Sequence, residues 1–381
     1  MRRALLTTLF LALLILSACI APIAQPPAAP ASMGNGTSAE TGADVIQVVD
    51  STGRAFTIQR PVNRVVSLNR QISEALTLIG AHERVVGTGD TTIENNPFLP
   101  FTDLPDVGAT GEVNLELLLS LQPEIVFAYT NRDVQILEEK LEPAGIQVIR
   151  VDYYRPDRQK DELRLIAKIM GVEENAERFI AWQESLETLR EERLAGLTDE
   201  DRRTVIALSV GFLNSQGGYR VFPSRSADGS MGPGEGYATI LAGGIDAAAD
   251  IVWPPEQSGT TVLVEPEYVL QRNPEVVTLH GTWLGGYKAE DDSQFREVMT
   301  NILNTTSLPQ IQAVNTGDVY IFHTDFLGAA RNFIGVLQLA KDLYPDRFAD
   351  IDVDAHHRRY FEEWLKAPFA GVWHFSLKDM Q

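Results

Sequence analysis

Glu116 is followed seven residues later by Pro123-Glu124-Ile125-Val126, and Glu267 is followed seven residues later by Pro274-Glu275-Val276-Val277, 151 residues further along the chain. Each copy predicts a short helix that leads through proline into a buried strand. A unit that recurs once in each half of a chain constrains architecture more than any local propensity does. The expectation is two related lobes.

The surrounding pattern says what the lobes contain. Val45-Ile46-Gln47-Val48-Val49 and Ala55-Phe56-Thr57-Ile58 flank Asp50-Ser51-Thr52-Gly53, a strand, turn and strand ended by Pro61. Short apolar strands then alternate with amphipathic helices. Arg64-Val65-Val66-Ser67-Leu68 precedes a helix expected from about Ser73 to Ile79, and strands follow at Val85-Val86-Gly87, 124–128 and 147–151. From Val172 to Ala195 there is no Pro or Gly, and Ala176, Phe179, Ile180, Leu186, Leu189 and Leu194 recur at helical spacing, which predicts one long helix. Beyond Gly196 the alternation resumes with strands at 204–208, 275–279 and 318–322. The fold class is therefore α/β, two Rossmann-like lobes with mainly parallel sheets joined by one long helix, and ligands of such sheets approach the carboxyl ends of the strands. The expected boundaries are residues 44–171 for the N-terminal lobe, 172–196 for the linking helix and 197–381 for the C-terminal lobe.

Ahead of the lobes, Arg2 and Arg3 precede an apolar run from Ala4 to Leu16, the layout of a secretory signal. Thirteen residues fall short of the ~20 that a membrane span needs. Leu16-Ser17-Ala18-Cys19 resembles the lipobox of bacterial lipoproteins, which implies cleavage after residue 18, lipid attachment to the Cys19 sulfur and a site outside the cytoplasmic membrane. Cys19 is the only cysteine of 381 residues, so no disulfide forms within the mature chain. Residues 20–43 are rich in Pro, Ala, Gly, Ser and Thr and read, with Cys19, as a lipidated tether. The processed chain keeps 30 basic and 52 acidic residues, a net charge of −22 that argues against nucleic acid as a partner.

The order of motifs along the folded part resembles the periplasmic binding proteins of ABC importers for ferric siderophores, haem and cobalamin. The carriers are Asp50, Gly53-Arg54, Pro61, Arg64 to Leu68, Glu74, Leu78-Ile79-Gly80, Leu104-Pro105-Asp106-Val107-Gly108, the Glu116-to-Pro123 unit, Leu241-Ala242-Gly243-Gly244-Ile245 and Val314 to Tyr320. Asn69-Arg70-Gln71 departs from the usual Pro- and Thr-containing loop, and Glu124 and Glu275 stand where Asp is commoner. The resemblance implies no enzymatic activity and no permanently bound cofactor. It implies delivery of a ferric siderophore or similar iron chelate to an ABC permease dimer with separate ATPase subunits, with cobalamin or another corrinoid, or haem, as alternative ligands. It places the permease-docking carboxylates on Glu116 and Glu267. A carboxylate in the first turn of a helix sits beside that end's partial positive charge and can accept both donors of an arginine fork; complementing the helix dipole is the other use of such a residue.

A ligand held between the lobes meets the loops that follow the strands. The candidates there are Asn69, Arg70, Tyr129, Arg132, Tyr153, Tyr154, Trp283, His323, Phe326 and Arg331, with Asp90, Arg155 and Tyr287 beside them. Arginine forks suit carboxylate or phenolate oxygens, and the aromatic rings supply contact area for a large chelate. Gly229 to Gly236 lacks the Lys-Ser/Thr of a phosphate loop and reads as a flexible loop at the cleft edge. The six histidines are scattered, and adjacent His356 and His357 would point about 100° apart on a helix, a poor pair of metal ligands. Neither a Gly-x-Ser-x-Gly elbow nor a His-Glu-x-x-His motif occurs.

Overall fold

The structure, a computed structural model, describes residues 44–109, 111–130, 135–211, 217–254, 259–281 and 284–380. Cys19, Arg132 and Trp283 lie outside the described residues.

The chain opens with an antiparallel hairpin, Asp44–Val49 against Ala55–Arg60. Asp50 builds its turn by accepting hydrogen bonds from the backbone of Thr52 and Arg54. The N-terminal sheet is wholly parallel, in the order Val85–Thr88, Val65–Ser67, Ile125–Ala128, Gln147–Arg150. Among the described residues the C-terminal sheet has seven strands. Thr204–Ser209, Val276–Gly281 and Val319–His323 form its parallel centre, and antiparallel strands such as His374–Ser376 extend it.

The repeated unit occupies the same place in both lobes. Leu115–Ser120 and Pro266–Arg272 are short helices, and each leads into a strand that pairs in parallel with the first central strand of its sheet. The glutamates after the prolines have matching work. Glu124 accepts hydrogen bonds from the backbone N–H of Asn63 and Arg64 at 2.7 and 2.9 Å. Glu275 accepts from the backbone N–H of Thr204 at 2.8 Å. Each carboxylate thus ties the start of one central strand to the start of its neighbour, a role in which the longer Glu replaces the commoner Asp.

Between the lobes runs the helix Glu173–Leu194. Its buried face includes the predicted Ala176, Phe179, Ile180 and Leu186, and adds Trp182, Gln183 and Arg190. Phe179 has no exposed surface and lies against the rings of Trp182, Phe333, Tyr360 and Trp364 at centroid distances of 5.8, 6.0, 6.1 and 5.1 Å. Full burial of one such side chain stabilises by ~1.5–3 kcal/mol. The helix therefore acts as a spine to which both lobes adhere: one continuous apolar core runs from Val65 and Ile72, through Phe179, to Phe333 and Phe361. Smaller cores cover the opposite faces, around Val66 and Leu118 in the N-terminal lobe and around Leu208 and Phe295 in the C-terminal lobe.

Two local expectations are corrected. The first lobe helix spans Arg70–Leu78, not Ser73 to Ile79, because the Asn69 side chain caps it by accepting from the N–H of Gln71 and Ile72. The glycine-rich stretch is not a free loop at its end. Gly234–Leu241 is a helix, and Gly232 to Gly236 are buried, with a Cβ on Gly232 or Gly236 falling 2.3 Å from the Pro223 carbonyl.

Candidate functional site: the seam between the lobes

The strand ends bring four stretches together: Asn69 and Arg70, Tyr129, Tyr153 to Arg155, and His323 to Arg331. Charges meet across the seam. Arg70 Nη1 donates to Asp325 Oδ2 at 2.6 Å, joining the N-terminal lobe to the C-terminal lobe. Burial is the largest influence on the Asp325 carboxyl and works to raise it, but Arg70, His323 and Arg331 together outweigh it and hold that group below its ordinary value. Arg155 Nη2 donates to Asp157 at 3.1 Å and reaches the Met231 carbonyl at 3.3 Å. Gln159 Nε2 donates to the Ala329 carbonyl at 3.1 Å.

Behind these contacts lies a sealed polar knot. Arg331 has no exposed surface. Its guanidinium carbon stands 4.5 Å from the centroid of Trp373, 5.2 Å from Phe98 and Phe361, and 5.7 Å from Tyr360, a box of π faces that offsets part of the cost of burying a cation. Its Nη2 is 3.8 Å from Glu74 Oε2, outside hydrogen-bond range, and Nε donates to the Asp325 carbonyl at 3.3 Å. Glu74, 1% exposed, accepts from Tyr360 Oη at 2.5 Å and from Asn96 Nδ2 at 3.2 Å. Burial raises its carboxyl, with Arg331 and the Tyr360 hydroxyl pulling the other way.

The predicted cleft residues thus divide. Arg70, Tyr129, Tyr154 and His323 line the seam. Tyr129 Oη sits between Gln71 Oε1 at 2.7 Å and Asp90 Oδ2 at 2.5 Å. His323 Nδ1 accepts from the Asp325 N–H, and its ring meets the edge of Trp373 at 5.0 Å. Asn69 is spent on architecture: it is fully buried, caps a helix with Oδ1 and donates through Nδ2 to the carbonyls of Val151 and Asp152. Tyr153 is fully buried, Phe326 stacks on His357 at 4.4 Å inside the core, and Arg331 belongs to the knot and not to an open wall. Sequence reading missed Asp325, Tyr360, Phe98, Phe361, Trp373 and Glu235. Only Asp325 carried a signal, as a carboxylate two residues beyond a strand.

Glu116 and Glu267 are both exposed, and each is the second residue of its helix. Pro266 opens the second helix with Glu265 as its cap, so Glu267 and not Glu265 is the counterpart of Glu116. Among the described residues no cluster of three or more His, Cys, Asp or Glu is placed to hold a metal ion, and no helix is long and apolar enough to cross a membrane.

Comparison with known proteins agrees with this architecture. The family model described as "Periplasmic binding protein" matches residues 65–325. The molybdate-binding protein MolA of Haemophilus influenzae is 23% identical over 350 residues, covering 84% of this chain and 91% of MolA. Its molybdate-bound crystal structure superposes with a TM-score of 0.65 over 86% of this chain and 100% of that one. The TroA-like periplasmic binding protein FepB from Veillonella parvula, 21% identical, gives a TM-score of 0.70 and covers 87% and 99% of the two chains. An ABC transporter substrate-binding lipoprotein of Bacillus subtilis, YvrC, is 23% identical over 314 residues, 80% of this chain and 87% of its own length.

Proposed function

The chain belongs to the periplasmic binding protein family, and from that premise we propose that it is a lipid-anchored receptor that captures an iron chelate outside the membrane and hands it to an ABC permease. The family is one of substrate-binding transport proteins, which act outside the cytoplasm and deliver to a permease that works with an ATPase. What supports the finer reading is the pairing of Glu116 and Glu267, exposed at the same position of equivalent helices on the two lobes. Two carboxylates at fixed separation on one body suit arginine forks on a two-subunit permease and would set the orientation of docking. The chelate assignment draws on Arg70, Tyr129, Tyr154 and Arg155, which give the seam placed donors and ring faces. Cys19 would carry the anchor.

The test is twofold. Glu116→Ala with Glu267→Ala is expected to abolish uptake while ligand affinity stays within about twofold of wild type; unchanged uptake removes the docking assignment. Intrinsic tryptophan fluorescence of the purified protein, titrated with ferric siderophores, free ferric ion, cobalamin, haem and molybdate, is expected to show saturable quenching by a ferric chelate. Binding of molybdate alone would favour a second reading, an oxyanion receptor, which the similarity to MolA supports.

A further inference from the structure

Among the described residues, the arginines of the seam stand beside carboxylates. Arg70 pairs with Asp325, Arg155 with Asp157, and Arg331 sits beside Glu74 inside its box of rings. A buried carboxyl beside them has no such partner. Glu235, 5% exposed, opens the helix Gly234–Leu241, and among the described residues its side chain joins no ion pair and meets no hydrogen-bond donor beyond its own backbone. It is held at the junction of the lobes: Arg70 of one lobe and Asp325 of the other both act on it, and it acts on Tyr154. Its side chain lies against the backbone of Gly328, where a Cβ would fall 2.4 Å from Glu235 Cδ. Asp325, 3% exposed, likewise leaves Oδ1 unpartnered in the same region.

We infer that Glu235 is the specificity-determining carboxylate of the seam and that it selects a chelate presenting a cationic or hydrogen-bond-donating group over an anionic one. A buried carboxylate without a partner is costly, and a donor on the ligand removes that cost, whereas an oxyanion or a tricatecholate complex adds like charge. This inference rests on the chelate reading above and narrows it. Burial pushes the Glu235 carboxyl up to about 7, so it is mostly neutral at pH 6 and mostly ionised at pH 8. Arg70 remains charged over that range and Tyr154 neutral, while the His323 ring stands next to Asp325, accepting from its N–H. The dependence is therefore read as a difference between wild type and Glu235→Gln, a substitution that keeps shape.

Titrations at pH 6 and pH 8 with a ferric trihydroxamate bearing a free ammonium group, a ferric tricatecholate trianion and molybdate decide the matter. The ammonium-bearing complex is expected to bind tightest and to tighten about tenfold from pH 6 to pH 8, with Glu235→Gln abolishing the tightening and costing about tenfold at pH 8. Tighter binding of the trianion or of molybdate, or an ammonium-complex affinity that ignores both pH and the substitution, overturns the inference and leaves the receptor assignment standing. Failure of both chelates to bind overturns the chelate reading and this inference with it.

Discussion

Replacing Tyr360 by Phe removes one oxygen from the centre of the molecule. Tyr360 has no exposed surface, and its hydroxyl donates to Glu74 Oε1 at 2.5 Å, from the C-terminal lobe to the first helix of the N-terminal lobe. The ring contacts with Phe179, Phe333 and Trp182 stay, so no cavity term enters. What is lost is a hydrogen bond to a carboxyl that is 1% exposed, worth ~1.5–3 kcal/mol when the acceptor is charged and ~1 kcal/mol when it is neutral. Asn96 Nδ2 at 3.2 Å and Arg331 Nη2 at 3.8 Å remain to hold part of the charge, which puts the expected loss near ~2 kcal/mol, or roughly 3–5 °C in Tm. Urea unfolding followed by far-UV circular dichroism and by tryptophan fluorescence measures it. The two signals are expected to coincide in one transition, because the core is continuous across the linking helix. A double-mutant cycle with Glu74→Gln is expected to return a coupling of ~1–2 kcal/mol. A loss below ~0.5 kcal/mol, or no coupling, would refute the bond as a cross-lobe tie. Separate transitions for the two probes would refute the continuous core.

Phe179→Ala on the linking helix is expected to cost ~3–5 kcal/mol, because its four ring neighbours are held on three packed helices and cannot all collapse into the space; a loss under ~1.5 kcal/mol in the same urea assay would contradict the spine. His374 lies 2.8 Å from Asp342, and although burial, the largest influence, works to lower its pKa, Asp342 together with Asp379 and Asp354 raises it. A raised folded-state value means that this pair's stabilisation is fully present below the unfolded histidine's value near 6.5 and fades as pH climbs through the folded one. Burial moves His280 down to about 3, so its effect runs the other way, costing stability as pH falls below 6.5. The two are separated by comparing wild type with His374→Gln: their Tm difference is expected to be largest near pH 6 and to shrink by pH 9, and a difference that grows with pH would reverse the assignment.

The parts of the fold that showed in the sequence are those set by local chemistry. Apolar runs ending in Pro, Gly or Asp marked the strands, since a strand buried on both faces has few other compositions open to it. The Glu-to-Pro unit marked the lobes because Glu124 and Glu275 do the same job on neighbouring strands. The site was less legible because its contacts are distant in sequence. Arg331 read as a ligand-binding cation, since nothing near it announces that Phe98, Tyr360, Phe361 and Trp373 enclose it. Asn69 read as a cleft residue for a different reason: it follows a strand, where ligand residues sit, and it precedes a helix, where caps sit. The cap prevailed because it satisfies two backbone N–H groups that burial would otherwise leave without partners. Glu235 was hidden by the glycines around it, which suggested a loose loop and instead let backbones approach closely enough to hold the carboxyl in place.

The knot also bears on how such a receptor would work. Opening the lobes widely would separate Glu74 from Tyr360 and Arg331, and would expose Phe98, Phe361 and Trp373 to water together with a guanidinium that the rings now enclose. Breaking a buried pair by removing one partner costs ~3–5 kcal/mol, and the apolar surface adds to that. The contacts nearer the strand ends are cheaper to release. Arg70 retains some access to solvent, with a side-chain exposure of 14%, and Arg155 meets Met231 through a single 3.3 Å hydrogen bond. Ligand entry by parting the Arg70, Arg155 and Glu235 side of the seam, with the Glu74 knot kept shut as the fulcrum, is therefore favoured over a hinge at the linking helix. Loss of ligand binding on a disulfide between the lobes near Arg70, with binding retained for one near Glu74, is the expected outcome; equal loss at both places would show that the whole seam opens.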